Sequence, residues 1–256
     1  MRKEGKSTIH ILGAGAMGCL WACHFSARGD EVTLLSRRDT NEASLTISYN
    51  AEFSDNDTSQ SLAANSVTVN HRLVSASSAP IENLIIATKS QDALRALKSL
   101  EHSLTKNTQV LTLCNGMGYH REIAEYLATV PVDIPLWAGV CSDGALLDDD
   151  HLLRHTGKGV TFVGNFSDTG SSNELPNFLQ NQTRDALLTI AYDPLIELKI
   201  MQKFFINCAI NPLTVIHQCR NAELLKNADI KKLFTELCTE LQSIYKAGCE
   251  NLHHLN

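Results

Sequence analysis

The chain has 256 residues, of which 43% are hydrophobic and 20% charged, and its formal net charge at pH 7 is −6. This composition is typical of a globular protein with one large domain or two modest ones. The acidic balance argues against a nucleic-acid-binding surface, and no stretch approaches the roughly 18 consecutive apolar residues of a membrane span. The eight cysteines include no C-x-x-C pair. We therefore expect a reduced, cytoplasmic protein without a metal site.

Short apolar runs alternate with helical segments in the first part of the chain. Strands are predicted at residues 8–12, 31–35, 83–88 and 108–114, and helices at 16–28 and 91–100. A hairpin or irregular strands are predicted within residues 46–69, and further strands within residues 131–164. A surface loop that leads into a helix is predicted at residues 167–177. This alternation predicts an α/β fold with a Rossmann-type, doubly wound, mostly parallel sheet.

The character of the sequence changes after Asp193-Pro194, where strand patterns disappear. Helices are predicted at 195–210, 213–218, 222–226 and 230–247. The gap between the first two helices is Asn211-Pro212, which is expected to end a helix because the residue before proline avoids the α conformation. We therefore predict an α/β domain of residues 1–193 and a second, all-α domain of residues 194–256.

A G-x-G-x-x-G motif follows the first predicted strand and opens the first predicted helix. Its six residues are Gly13, Ala14, Gly15, Ala16, Met17 and Gly18. In this context the motif is a dinucleotide-binding fingerprint: Gly13 allows a tight turn, Gly15 lets the backbone approach a pyrophosphate, and Gly18 lets helix and strand pack closely. The free N–H groups and the dipole at the helix N-terminus would hold the phosphate charge.

The residues after the second predicted strand decide which dinucleotide fits. An NAD site usually has Asp or Glu there to bind the ribose 2′-hydroxyl, whereas this chain has Ser36-Arg37-Arg38. A guanidinium can bind a 2′-phosphate through two hydrogen bonds, while a carboxylate would repel it. We therefore predict NADP(H) as the cofactor. The alternative is that the two arginines only solvate a loop.

Two polar side chains directly follow buried strands. Lys89 comes after the run NLIIAT, and Asn115 comes after VLTLC. In open parallel sheets, ligands bind outside the carboxyl ends of the strands, so both residues are expected at the rim where the nicotinamide lies. Either residue could instead be a capping or loop residue.

Three strongly polar side chains recur every four residues in an otherwise apolar helix. Lys203, Asn207 and Asn211 therefore share one stripe, which drifts by only about 40° per step. A helix that is apolar nearly all round is normally buried, and burying these groups without partners would cost several kcal/mol. We expect a ligand, water or another part of the protein opposite the stripe. The alternative is that Lys203 snorkels and the Asn-Pro pair only closes the helix.

Taken in order, these motifs resemble the 2-dehydropantoate 2-reductase (ketopantoate reductase) family. The matching pieces are GAGAMG, the arginine after the second strand, ATKSQDA around Lys89, CNGMG around Asn115, RHTGKG around His155 and KFFINCAINPLT around Lys203. The last string is the most specific, since many dehydrogenases share glycine loops. The resemblance extends from Thr8 to about Leu225 and implies NADPH-dependent reduction of 2-dehydropantoate to pantoate in the pantothenate pathway.

The resemblance also implies a role for each site residue. Lys203 would donate the proton to the carbonyl, and Asn207 and Asn211 would hold the polar groups of the 2-keto acid substrate. Asn115 would contact cofactor and substrate, Lys89 would face the cofactor, and Arg37, in preference to Arg38, would bind the 2′-phosphate. The stripe is expected to face the carboxyl edge of the sheet, with the nicotinamide between them.

Members of this family usually continue past the position where this chain stops. The resemblance places a substrate-binding motif and a glutamate that contacts the lysine in that further region. If 256 residues is the native length, we expect the chain to lack one wall of the substrate cleft and to expose a large apolar patch on helix 195–210, which a partner subunit in a homo-oligomer could cover. A truncated gene product or a partial sequence would explain the shorter chain equally well. The alternatives to an active enzyme are a catalytically defective NADP-binding relative and a reductase of a related 2-keto acid.

Overall fold

In this computed structural model the chain forms two compact units, which are residues 1–197 and residues 198–256. The residues that the structure describes are 6–37, 43–51, 65–76, 79–149, 152–166, 174–180 and 186–253. The two units part shortly after the predicted domain boundary at residue 193. Arg38 and residues 167–173, which belong to the predicted surface loop, lie outside the described residues.

Eleven strands and six α-helices make up the regular structure of the described part of the chain. The strands are β1 (Thr8–Leu12), β2 (Glu31–Ser36), β3 (Ser44–Ala51), β4 (Asn65–Leu73), β5 (Ile81–Ile86), β6 (Leu104–Thr112), β7 (Leu136–Cys141), β8 (Gly144–Leu147), β9 (Leu152–Gly157), β10 (Val160–Asn165) and β11 (Thr189–Tyr192). The helices are α1 (Ala16–Ala27), α2 (Ser90–Lys98), α3 (Tyr119–Leu127), α4 (Asn177–Gln180), α5 (Ile196–His217) and α6 (Ala228–His253).

All eleven strands join one sheet in the order β11-β10-β7-β6-β5-β1-β2-β4-β3-β9-β8. The central run from β7 to β4 is parallel throughout, and the antiparallel pairs β7–β10, β3–β4 and β8–β9 lie outside it. The β3–β4 pair confirms the strands predicted within residues 46–69. The predicted Rossmann-type, mostly parallel sheet followed by a helical C-terminal region is also confirmed.

Helices cover both faces of the central strands because the apolar side chains of those strands alternate between the faces. Ile9 and Ile11 of β1 belong to the same core cluster as the buried side chains of α1. Leu84 and Ile86 of β5 belong to a second cluster, together with the buried residues of α2 and α3. All four strand side chains are fully buried. Polar side chains are therefore expected beyond the carboxyl ends of these strands, at the edge where ligands of this fold bind.

The second unit is helical in its described residues, and α5 continues through the predicted helix end. The helix runs without a break from Ile196 to His217, with Pro212 inside it, so the end predicted at Asn211-Pro212 is wrong. Leu213, just past the proline, is buried in a small core formed with the start of α6 and the turn before it. Packing of this kind offsets the roughly 3 kcal/mol that an internal proline costs a helix.

The connection between α5 and α6 also differs from the predicted helix at residues 222–226. A single 3₁₀ turn, Asn221–Glu223, lies there, and the Glu223 carboxylate accepts a hydrogen bond from the Arg220 backbone N–H at 2.7 Å.

Across the described residues, no helix combines the length and the apolar character needed to cross a bilayer.

Candidate functional site

The glycine loop after β1 is packed too closely for side chains at two of its positions. Gly13 has a φ of 115°, and a Cβ atom there would lie 2.8 Å from the Ala87 carbonyl oxygen, so a side chain meets both backbone strain and a clash. A Cβ atom at Gly18 would overlap the Gly13 carbonyl oxygen. These contacts hold the first turn of α1 directly against the ends of β1 and β5.

The N-terminus of α1 is open to an anion. Gly15 is the N-cap residue, no side chain caps the helix, and the first turn contains no acidic residue. A Cβ atom at Gly15 would have nothing within 4 Å, so the space in front of the turn is open. The first backbone N–H groups of a helix have no partner within it and carry its positive dipole end. The loop can therefore bind a pyrophosphate, as the motif predicts.

Arg37, directly after β2, lies beside an acidic residue of α2 that the sequence reasoning did not identify. The Arg37 guanidinium donates to both carboxylate oxygens of Asp92, at 3.0 Å from Nη2 and 3.4 Å from Nη1. Arg95 donates to the same carboxylate at 2.7 Å. The only sequence signal was an acid in the first turn of the helix that begins after Lys89, at the same edge of the sheet.

Lys89 and Asn115 follow β5 and β6. Lys89 is exposed and is the N-cap residue of α2, and Asn115 is exposed next to Gly116, whose φ is 111°. The Tyr119 hydroxyl donates to the Cys114 carbonyl at 2.8 Å and so fixes the backbone just before Asn115. Because β2, β1, β5 and β6 are neighbours in the sheet, Arg37, the glycine loop, Lys89 and Asn115 lie along one carboxyl edge.

A buried carboxylate lies behind the glycine loop, and the sequence reasoning also missed its role. Asp143 Oδ1 accepts hydrogen bonds from His155 Nε2 at 2.9 Å and from the Gly159 N–H at 3.0 Å. Cys141 Sγ lies 3.4 Å from Asp143 Oδ2 and 3.6 Å from Met17 Sδ, so the cluster supports the first turn of α1. Desolvation acts to raise the pKa of Asp143, but these hydrogen bonds keep that pKa below its usual value. His155 lies in the RHTGKG string, which gave no sign of its carboxylate partner.

The polar stripe lies on α5 in the second unit. Lys203 and Asn207 are half-buried and Asn211 is exposed. Because α5 is continuous across all three positions, the predicted four-residue spacing places them on one side of a single helix.

A separate apolar groove of about 360 Å³ lies between α5 and α6. Its lining residues are Gln202, Phe205, Ile206, Ala209, Ile210, Phe234, Cys238, Leu241, Gln242 and Tyr245. None of the three stripe residues is among them. Ile206, which lines the groove, is 56% exposed, and nearer the C-terminus of α5 Val215 and Ile216 are 75% and 70% exposed.

Comparison with known proteins decides the family. The model of the family described as Ketopantoate reductase PanE/ApbA matches residues 9–168, and the model of its C-terminal region matches residues 195–254. The chain belongs to the ketopantoate reductase family. A 2-dehydropantoate 2-reductase of Vibrio cholerae is 32% identical over 239 residues, which are 93% of this chain and 73% of that relative.

Solved structures share the fold of this ketopantoate reductase family member. A dimeric ketopantoate reductase from Staphylococcus aureus has a TM-score of 0.67 at 19% identity, over 92% of this chain and 80% of that chain. A D-mandelate dehydrogenase solved with NADH and anilino(oxo)acetate has a TM-score of 0.72 at 22% identity, over 94% of this chain and 74% of that chain. At these identities the likeness establishes the fold alone.

Both parts of the family match contain predicted site residues. The first match includes the glycine loop, Arg37, Lys89 and Asn115, and the second includes Lys203, Asn207 and Asn211. As a member of this family, the chain is an oxidoreductase.

Proposed function

We propose that this chain catalyses the NADPH-dependent reduction of 2-dehydropantoate (ketopantoate) to pantoate, a step of pantothenate and coenzyme A biosynthesis. The observation that carries the proposal is the set of groups along one carboxyl edge: an open helix N-terminus, a guanidinium, an ammonium and an amide follow four neighbouring strands. Family membership supplies the reaction class. The predicted domain of residues 1–193 would bind the cofactor, and that of residues 194–256 would supply catalytic and substrate-binding groups.

The residues present fit a nicotinamide dinucleotide. The glycine loop, Gly13 to Gly18, leaves the N-terminus of α1 open for a pyrophosphate, and a side chain at Gly13 or Gly18 would clash with the backbone atoms that hold the loop in place. Arg37 would bind the 2′-phosphate, with Lys89 and Asn115 toward the nicotinamide end. When bound, the reduced cofactor supplies a hydride from nicotinamide C4 to the ketone carbon.

Lys203 then has the role of general acid. Negative charge develops on the carbonyl oxygen as the ketone is reduced, and an ammonium beside that oxygen stabilises the charge and donates a proton to it. Asn207 and Asn211 can donate amide N–H groups to substrate oxygens and accept from its hydroxyl group. Asn115 would contact both cofactor and substrate. This division of roles uses every polar group of the stripe.

Steady-state kinetics of the wild-type protein test the reaction. We expect ketopantoate-dependent oxidation of NADPH, with a higher kcat/KM than for 2-keto acids lacking the hydroxymethyl branch. NADPH binding without turnover of any 2-keto acid would favour a catalytically defective relative. Faster turnover of a different 2-keto acid would instead favour a related reductase. A titration of NADPH fluorescence on the same preparation separates loss of binding from loss of chemistry.

The Arg37→Ala variant tests the choice of cofactor. Charge-assisted hydrogen bonds contribute about 1.5–3 kcal/mol, so the dissociation constant for NADPH should rise about 10- to 100-fold. The dissociation constant for NADH should change little, because NADH has no 2′-phosphate. Arg121→Ala, at an exposed position on α3, is the matched control. Wild-type protein that binds NADH more tightly than NADPH would contradict the assignment of Arg37.

A further inference from the structure

The Asp92 carboxylate on α2 binds two guanidiniums, that of Arg37 directly after β2 and that of Arg95 on α2 itself. It accepts three hydrogen bonds, two from Arg37 and one from Arg95, at 2.7–3.4 Å. The carboxylate is only 21% exposed, whereas the side chains of Arg37 and Arg95 are 57% and 71% exposed. The cluster therefore presents two guanidiniums to solvent with the carboxylate largely covered beneath them.

Stability alone does not account for this arrangement. Exposed ion pairs contribute about 0–1 kcal/mol to stability, because solvent screens them and ordering long side chains costs entropy. The contact nevertheless joins Arg37 to a helix 55 positions along the chain, and it uses both terminal nitrogens of the guanidinium. A guanidinium has five N–H donors, so most of those on Arg37 and Arg95 do not contact Asp92.

We propose that Asp92 is a positioning residue that selects the 2′-phosphorylated cofactor, by holding Arg37 and Arg95 together as a two-guanidinium receptor for the 2′-phosphate. This inference rests on the cofactor assigned under the proposed function. It adds Arg95 as a second phosphate ligand and gives Asp92 a role in specificity.

The net charge of the cluster indicates that Asp92 strengthens phosphate binding and does not weaken it. The two guanidiniums and one carboxylate sum to +1, so the cluster attracts a phosphate although it contains an acid. Desolvation acts to raise the pKa of Asp92, but the charges and hydrogen bonds of Arg37 and Arg95 lower it, so the carboxylate stays ionised. Without that charge the guanidiniums would repel each other and separate.

Preorganisation of the arginine side chains is a second reason to expect that Asp92 strengthens phosphate binding. A free arginine side chain has about 2 kcal/mol of rotamer entropy, which phosphate binding would otherwise have to offset. Asp92 removes part of that entropy in advance. Its position in the first turn of α2 stabilises the carboxylate in turn, because acids are favoured near a helix N-terminus.

Binding of two nicotinamide-free probes isolates the 2′-phosphate. Calorimetry with 2′-phospho-ADP-ribose and ADP-ribose compares wild type with Asp92→Asn and Arg95→Ala. We expect each variant to bind 2′-phospho-ADP-ribose about 5- to 10-fold more weakly, a loss of about 1–1.4 kcal/mol. ADP-ribose affinity should stay within about twofold, and Asp92→Glu should recover part of the loss because it keeps the charge.

Matched controls come from α3. Glu122 is an exposed acid in the first turn of that helix, and Arg121 is exposed beside it. Glu122→Gln and Arg121→Ala should leave both affinities unchanged. Equal weakening of the two probes in Asp92→Asn would indicate a purely structural role and overturn the inference. Tighter binding of 2′-phospho-ADP-ribose in that variant would show that repulsion prevails, and would overturn it too.

The inference and the proposed function can fail separately. Wild-type protein that prefers 2′-phospho-ADP-ribose but does not reduce ketopantoate overturns the reaction, and the variants still decide the role of Asp92. Wild-type protein that binds both probes equally overturns the inference, while turnover of ketopantoate with NADH would uphold the reductase.

Discussion

Replacing Lys203 with alanine is expected to lower kcat for ketopantoate reduction about 10²- to 10⁴-fold, the range that a positioned general acid contributes. The variant removes both the proton donor and the positive charge beside the developing oxyanion, and both act mainly in the transition state. The dissociation constant for NADPH should stay within about twofold. Single-turnover kinetics with saturating NADPH measure the chemical step, and fluorescence titration measures binding.

Two further variants separate proton donation from charge. Lys203→Arg keeps the positive charge, but a guanidinium does not give up a proton near neutral pH, so it should restore only a small part of the rate. Lys232→Ala removes an exposed lysine of α6 and is the control for loss of a lysine from the second unit. A Lys203→Ala protein that retains both NADPH binding and near-wild-type kcat would contradict the general-acid role.

The residues at the carboxyl edge of the sheet could be predicted because the sequence patterns that place them there are local. β1 lies at the predicted residues, and β2 and α1 differ by a single residue at one end, since an apolar run followed by the glycine motif leaves little freedom. Strand–helix alternation then fixes parallel pairing, which brings the ends of β2, β1, β5 and β6 to one edge. Arg37, Lys89 and Asn115 could be placed there from sequence alone.

Partners that meet through the fold were not predictable in the same way. Asp92 lies 55 residues from Arg37, and Asp143, between β7 and β8, pairs with a histidine 12 residues away on β9. An acid in the first turn of a helix is common, and an aspartate between two strands resembles an ordinary turn residue. Pro212 shows the opposite error: a strong local signal for a helix end is overridden by the buried contacts of Leu213.

Acidification from about pH 6.5 to pH 4 is expected to destabilise the first unit by several kcal/mol. His24 is 1% exposed and its Nδ1 accepts from the Leu188 N–H at 3.3 Å, while His120 is 2% exposed with its ring stacked between Tyr119 and Phe166. Burial lowers the pKa of each imidazole from 6.5 to about 4. One pKa unit corresponds to 1.36 kcal/mol, so each histidine should contribute a loss of about 3 kcal/mol.

The sign follows from proton linkage. In this pH range the unfolded chain binds protons on both histidines and the folded chain does not, so stability falls as pH falls and levels off below the folded pKa. Urea unfolding followed by the fluorescence of Trp21 and Trp137, both buried in the first unit, gives the free energy of unfolding at each pH. Because a domain is typically stable by only 5–15 kcal/mol, two such groups can account for most of an acid transition.

Variants that cannot titrate should flatten the pH dependence even where they lower stability. His24→Asn keeps an acceptor near the Nδ1 position, His120→Phe keeps the ring stack, and His217→Gln is a control at an exposed position on α5. Asp143 affects stability at lower pH. Because its pKa is lowered in the folded protein, its contribution to the free energy of unfolding is lost only below about pH 3.8. A slope between pH 6.5 and 4.5 that is the same in His24→Asn and His120→Phe as in the wild type would therefore exclude His24 and His120 as the acid-sensitive groups.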